Sequence, residues 1–148
     1  MNFAERVSYE NAVLARDGMS QFQIYRNDNG SYYLWGHHRT SANNRYTLWS
    51  PIPTGYPRAR PHLYIHDPNP LWGYAGSATI NSYGVSHGMH TLGNGPHGEV
   101  QICHWRDERW HSGITLNKVM MKCMLWLEAY EQHVSTGKAI DEFVRTMQ

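Results

Sequence analysis

Two cysteines set the range of covalent chemistry open to this chain. Cys103 closes the run Gly98-Glu99-Val100-Gln101-Ile102-Cys103, where an apolar segment gives way to His104, Trp105, Arg106 and Asp107. Such a position brings a thiol toward solvent, and a thiol that can ionise is a nucleophile able to carry an acyl group. Cys123 lies instead in Val119-Met120-Met121-Lys122-Cys123-Met124-Leu125-Trp126-Leu127, where positions 116, 119, 120, 123, 127 and 130 trace one helical face. The expectation there is a buried, inert thiol that packs as a small hydrophobe. Neither cysteine has the CxxC spacing of a zinc or redox site. Among the ten histidines, His87, His90, His97 and His104 are the cluster to weigh for a metal. Their spacings match no compact ligand signature, so neither a metal nor a cofactor is expected. No G-x-x-x-x-G-K-[ST] or G-x-G-x-x-G run is present, so the chain should not activate a substrate with ATP itself.

The elements that must position Cys103 are readable in outline. The 148 residues suit one domain, 1–148, with a single core. With 13 Lys+Arg against 12 Asp+Glu, no basic stripe argues for nucleic acid. No apolar run is long enough for a membrane span, and Met1-Asn2-Phe3-Ala4-Glu5-Arg6 lacks a signal-peptide core, so the expectation is a cytoplasmic protein. Asn2 to Arg16 reads as a first helix, with Phe3, Val7 and Leu14 on one side and Asp17-Gly18 as its stop. Gln21 to Tyr25 and Tyr32 to Trp35 read as a hairpin around Asn27-Asp28-Asn29-Gly30, because Asn and Gly tolerate the positive φ of tight turns. Arg45 to Ser50 is a third strand, the proline-rich Pro51 to Pro57 should break the ladder, and His62 to Ile65 is a fourth strand. His37-His38 belong to a strand end or loop. Asp67 to His97 is Gly-, Asn- and His-rich loop with one short strand near Ala78 to Tyr83. Leu116 to His133 is the longest helix, stopped by Ser135-Thr136-Gly137, and Ile140, Phe143, Val144 and Met147 mark a last amphipathic helix.

Downstream of Cys103, Trp110-His111-Ser112-Gly113-Ile114-Thr115-Leu116-Asn117-Lys118-Val119 resembles the W-x4-T-[IL]-x-K-V run of ubiquitin-conjugating (E2) enzymes, and Tyr56-Pro57 with Pro61 resembles their Tyr-Pro turn. The shared order runs from about residue 20 onward. The resemblance implies an α+β ubiquitin-conjugating fold: an N-terminal helix, a four-stranded antiparallel meander, an active-site loop and C-terminal helices. It also implies that Cys103 carries a protein's C-terminus as a thioester. Trp126-Leu127-Glu128-Ala129-Tyr130-Glu131 and Thr136-Gly137-Lys138 are similar to elements of the E2-like proteins in bacterial CBASS antiphage operons. In their short form, the implied partner is a cGAS-like cyclic-oligonucleotide synthase, held by its C-terminal tail, with a possible separate activating enzyme.

A thioester carrier needs an accessible thiolate, an oxyanion donor, and no base placed to spend the thioester on water. His104 and Arg106 are candidates to lower the thiol pKa. The family's usual His-Pro-Asn triplet is missing, and the corresponding place reads His90-Thr91-Leu92-Gly93-Asn94-Gly95-Pro96-His97. Asn94 is then the candidate oxyanion donor, with His90 and His97 as alternative donors or bases and His104 a further candidate for oxyanion or proton handling. Trp105 and Trp110 should shape a groove, and Leu71 to Gly98 should meet an extended tail. The near-neutral total charge suggests that tail binding depends weakly on salt. Rival readings are a non-catalytic scaffold of the same fold, a cysteine hydrolase that releases the tail, and a conjugating enzyme for a bacterial ubiquitin-like protein.

Overall fold

In a computed structural model of the chain, residues 1–147 are described, with side chains through Arg145. Helix α1 (Phe3–Arg16) starts where Asn2 accepts the Glu5 N–H at 2.8 Å, an N-cap that satisfies one otherwise unpaired donor. Four antiparallel strands follow as a meander: β1 (Phe22–Arg26), β2 (Tyr32–Arg39), β3 (Arg45–Ile52) and β4 (Leu63–Asp67). The β1–β2 turn is the expected one, with Gly30 at φ +86°. His37 and His38 lie within the last residues of β2.

Three expectations about the strands are corrected. β3 runs through Pro51 to Ile52, where the prolines were expected to end it. β4 pairs only with Thr47, Leu48 and Trp49, so at Pro51 the strand is an edge and no ladder bond on that side is lost. The sheet also has seven strands, because β5 (Val85–Ser86), β6 (Thr91–Asn94) and β7 (Val100–Ile102) extend the four-stranded meander in the order β1-β2-β3-β4-β7-β6-β5. Ile80–Tyr83, expected as strand, is a 3-10 turn, and only Thr79 bridges to Trp72.

Helix α2 (Leu116–Thr136) crosses the core and ends at Gly137 in the left-handed conformation, φ +78°, a usual C-cap for the residue without a Cβ. Helix α3 (Ile140–Met147) follows, burying Ile140 and Val144; the Met147 side chain lies outside the described residues. One hydrophobic cluster joins Leu34, Leu48, Leu63 and Ile102 of the sheet to Val119 and Leu127 of α2. The architecture is α+β, an antiparallel sheet with helices.

Buried carboxylates fasten the helices to this sheet. Glu10, fully buried on α1, accepts from Arg6 Nε at 2.9 Å, from the Tyr56 hydroxyl, and from the Leu116 N–H at 3.0 Å. A residue of the first helix thus supplies an acceptor to the first turn of α2, where backbone donors lack partners. At the other end of α2, Glu131 Oε2 accepts from Thr40 Oγ1, Asn44 Nδ2 and Tyr46 Oη, while Glu128 accepts from Ser41. Tyr130 donates to Trp72 O at 2.6 Å. The residues of the W-L-x-x-Y-E run therefore hold α2 against the β2–β3 connection and the loop after β4.

Candidate active site

Cys103 follows β7 directly, and β7 runs antiparallel to β6 with Thr91 opposite Ile102. The next rung brings His90 opposite the cysteine, and the Cys103 N–H donates to His90 O at 2.9 Å. His90 sits at φ +53°, a region few residues other than glycine occupy. Its segment is held by flanking bonds: Trp126 Nε1 donates to Met89 O at 3.0 Å, and the Asp141 N–H donates to Gly88 O at 2.8 Å. Strand pairing, α2 and α3 therefore converge on the residues that face the thiol.

Between them lies a cleft of about 550 Å³. One wall is the segment of His87, His90 and Leu92; a second is Cys103 to Arg109; the rest comes from Lys122 and Trp126 of α2 and from Asp141 and Arg145 of α3. Cys103 is half-buried, whereas Cys123 is fully buried, as expected of each. Burial raises the Cys103 thiol pKa above its ordinary value, and Arg60, Arg106 and Lys122 pull it back without cancelling that rise. The Cys103 Sγ faces Trp105 O at 3.9 Å.

The structure separates the expected candidates. His90 lines the cleft and donates from Nε2 to Asp141 Oδ1 at 2.7 Å, a bond that holds the Asp141 carboxyl below its usual range. Asn94, the expected oxyanion donor, pairs with Val100 at the start of β7. That places it roughly 10 Å of strand from Cys103, and it does not line the cleft. The reason is the antiparallel turn between β6 and β7, which carries a residue nine positions before the cysteine back along the sheet. His97 is exposed in the Pro96–Gly98 turn at the same far end, and its carbonyl accepts from Asn69. Both are set aside as parts of this site.

His104 does line the cleft, but its role is corrected too. It is 5 % exposed, and its Nε2 donates to Pro61 O at 2.7 Å. Burial, with Arg60 nearby, lowers its pKa to about 4. A ring that is neutral at working pH cannot stabilise a thiolate by charge. Its Nδ1 is then a bare lone pair, buried and without a partner among the described residues. Arg106 does contribute in the expected direction. Trp105 and Trp110 line no part of the cleft; they pack edge-on at 6.3 Å behind Cys103, with Trp110 Nε1 donating to Pro57 O and Lys122 Nζ lying 3.8 Å over the Trp105 ring.

Residues missed in the sequence complete the site: His87 as it is placed, Lys122, Arg109, Asp141 and Arg145. Only the heptad-like spacing of α2 hinted that Lys122 neighbours the core face. His87, His90 and Asp141 offer donor atoms within 4.8 Å of one another, while His97 and His104 stand apart from them. Arg106 donates to His87 Nδ1 at 3.3 Å, so a neutral ring carries its proton on Nε2, toward Asp141 at 3.8 Å. Both rings then present N–H groups to the carboxylate, and the 2.7 Å His90–Asp141 separation is shorter than the roughly 3.3 Å between two ligands of a tetrahedral zinc. The three residues form a hydrogen-bonded network as they stand. Among the described residues no helix is long and apolar enough to cross a membrane. In comparisons with protein-family models, curated proteins and solved structures, nothing matches this chain.

Proposed function

We propose that the protein is a conjugating-type acyl carrier of the ubiquitin-conjugating fold, which holds a partner protein's C-terminus as a thioester on Cys103 and passes it to a nucleophile. The observation that carries this reading is the setting of Cys103: a half-buried thiol after a β-strand, open to a cleft large enough for a chain end, with a carbonyl oxygen at its sulfur. The order of helix, meander, Tyr-Pro turn, cysteine and long helix supports it, as does Thr115 standing at the N-cap position of α2. The oxyanion donor in this reading is a backbone N–H or His90, since Asn94 is out of reach. The resemblance in α2 extends it to bacterial antiphage defence, with a cGAS-like synthase tail as the cargo.

Co-purification with a full-length synthase should give an adduct on Cys103 that thiol reductant reverses. Cys103→Ser should hold a more stable oxyester, and a synthase lacking its last few residues should not load. An adduct that persists in Cys103→Ala overturns the proposal. One observation favours a second reading, a cysteine hydrolase: the His90–Asp141 pair shares the cleft with the thiol. A carrier keeps its thioester for minutes in buffer. Rapid release that Asp141→Asn slows by about a hundredfold, the scale of a lost general base, selects the hydrolase.

A further inference from the structure

The near-neutral total charge conceals an uneven distribution. Four cations, Arg106, Arg109, Lys122 and Arg145, line the cleft against one carboxylate, Asp141. That carboxylate is already committed to His90 at 2.7 Å. Arg109 and Arg145 form no ion pair among the described residues, Lys122 forms none either but lies over the Trp105 ring, and Arg106 meets only the imidazole of His87. Arg60 adds a further positive charge behind Cys103, though Asp107 pairs with it at 3.2 Å.

Unpaired cations drawn from separate elements, the loop after β7, α2 and α3, repel one another, and an anion between them relieves that repulsion. Guanidinium groups match carboxylates through paired N–H donors. The cleft also has two kinds of surface for an extended chain: the apolar Leu92, Leu125 and Val144, and the cationic rim.

We infer that this cleft selects an acidic peptide as its acyl donor, with Asp or Glu side chains just upstream of the chain end meeting Arg109 and Arg145 while the terminal carbonyl reaches Cys103. The inference rests on the acyl-carrier reading and names its substrate class. Association should therefore depend strongly on salt, against the expectation from total charge.

Synthetic pentapeptide thioesters with an uncharged leaving thiol test this without a partner protein or ATP. The Cys103 thiolate attacks the thioester carbonyl carbon; the bond to Cys103 sulfur forms, the bond to the leaving thiol breaks, and the proton released by Cys103 ends on that departing thiolate. Loading is read by intact mass. At 50 mM salt, peptides with Asp and Glu near the chain end should load about tenfold faster than those with Ser and Gln, and faster again than those with Lys, the gap closing at 500 mM. Arg109→Glu with Arg145→Glu, both at exposed positions, should invert the order of acidic and basic peptides. If all peptides load Cys103 at one rate at low salt, the inference fails and the carrier reading stands. If none loads, the carrier reading itself fails. If inorganic phosphate at matched ionic strength abolishes the preference, the cleft is a phosphate site and the peptide assignment is overturned. Should the double variant not fold, as judged by tryptophan fluorescence, the salt series on the native protein decides alone.

Discussion

Acidification should unfold this protein through His104 more than through its other histidines. The ring is 5 % exposed, and its pKa falls from 6.5 to about 4 because burial penalises the charged form. An unfolded chain binds a proton at this residue below pH 6.5 while the folded chain does not, so stability is present above 6.5 and is lost as pH falls toward 4. Between pH 7 and pH 4.5 the two protonation curves differ by about 2 kcal/mol, a large share of a typical domain's stability. Urea unfolding followed by tryptophan fluorescence measures this directly when native protein is compared with His104→Gln, whose amide can still donate to Pro61 O. The variant should lose about 2 kcal/mol less over that pH interval, since other titrating groups cancel in the difference. Equal losses in the two proteins would refute the reasoning. So would an NMR titration in which the His104 ring of the native protein protonates near pH 6.5.

Two further outcomes follow from the same physics. Because the Cys103 thiol lies above its ordinary pKa, loading by a neutral peptide thioester should rise roughly tenfold per pH unit from 6.5 to 8.5; a plateau below pH 8 contradicts a raised thiol. Glu10→Ala should cost about 3–5 kcal/mol in urea unfolding, since it strips buried partners from Arg6, Tyr56 and the Leu116 N–H; a loss under 1 kcal/mol would show that Glu10 does not hold α1 and α2 together.

Local signals carried the regular elements. Asn2 at the cap, Gly30 in the hairpin and Gly137 after α2 each announce their turn because few residue types satisfy it. The three short strands β5, β6 and β7 were not legible as a set. They span two to four residues and are interleaved with Gly84, Gly93, Gly95 and Gly98, so no period of two can build up. That gap displaced the expected site: spacing along the chain pointed to Asn94, while strand register sets His90 opposite Cys103, a relation visible only once β6 and β7 are paired. Asp141 was equally hidden. It lies 51 residues beyond His90, on the polar side of a helix whose apolar residues alone had a pattern to read. The cationic cleft escaped for a related reason, as Arg106, Lys122 and Arg145 sit far apart in sequence and net charge averages them with acids elsewhere.

The bond from the Leu116 N–H to Glu10 spans 106 residues, and it bears on when the surroundings of the thiol are complete. During synthesis the first helix leaves the ribosome long before α2 exists, and Glu10 has no Leu116 to receive. Cys103 itself emerges before Lys122, Trp126 and Asp141, the groups that wall its cleft and press on the His90 segment. A chain cut off before α2 therefore holds Cys103 without the groups that wall its cleft. Only when the beginning of the chain meets its final third is the cleft closed around the sulfur, so that the setting of Cys103 arrives together with completion of the fold.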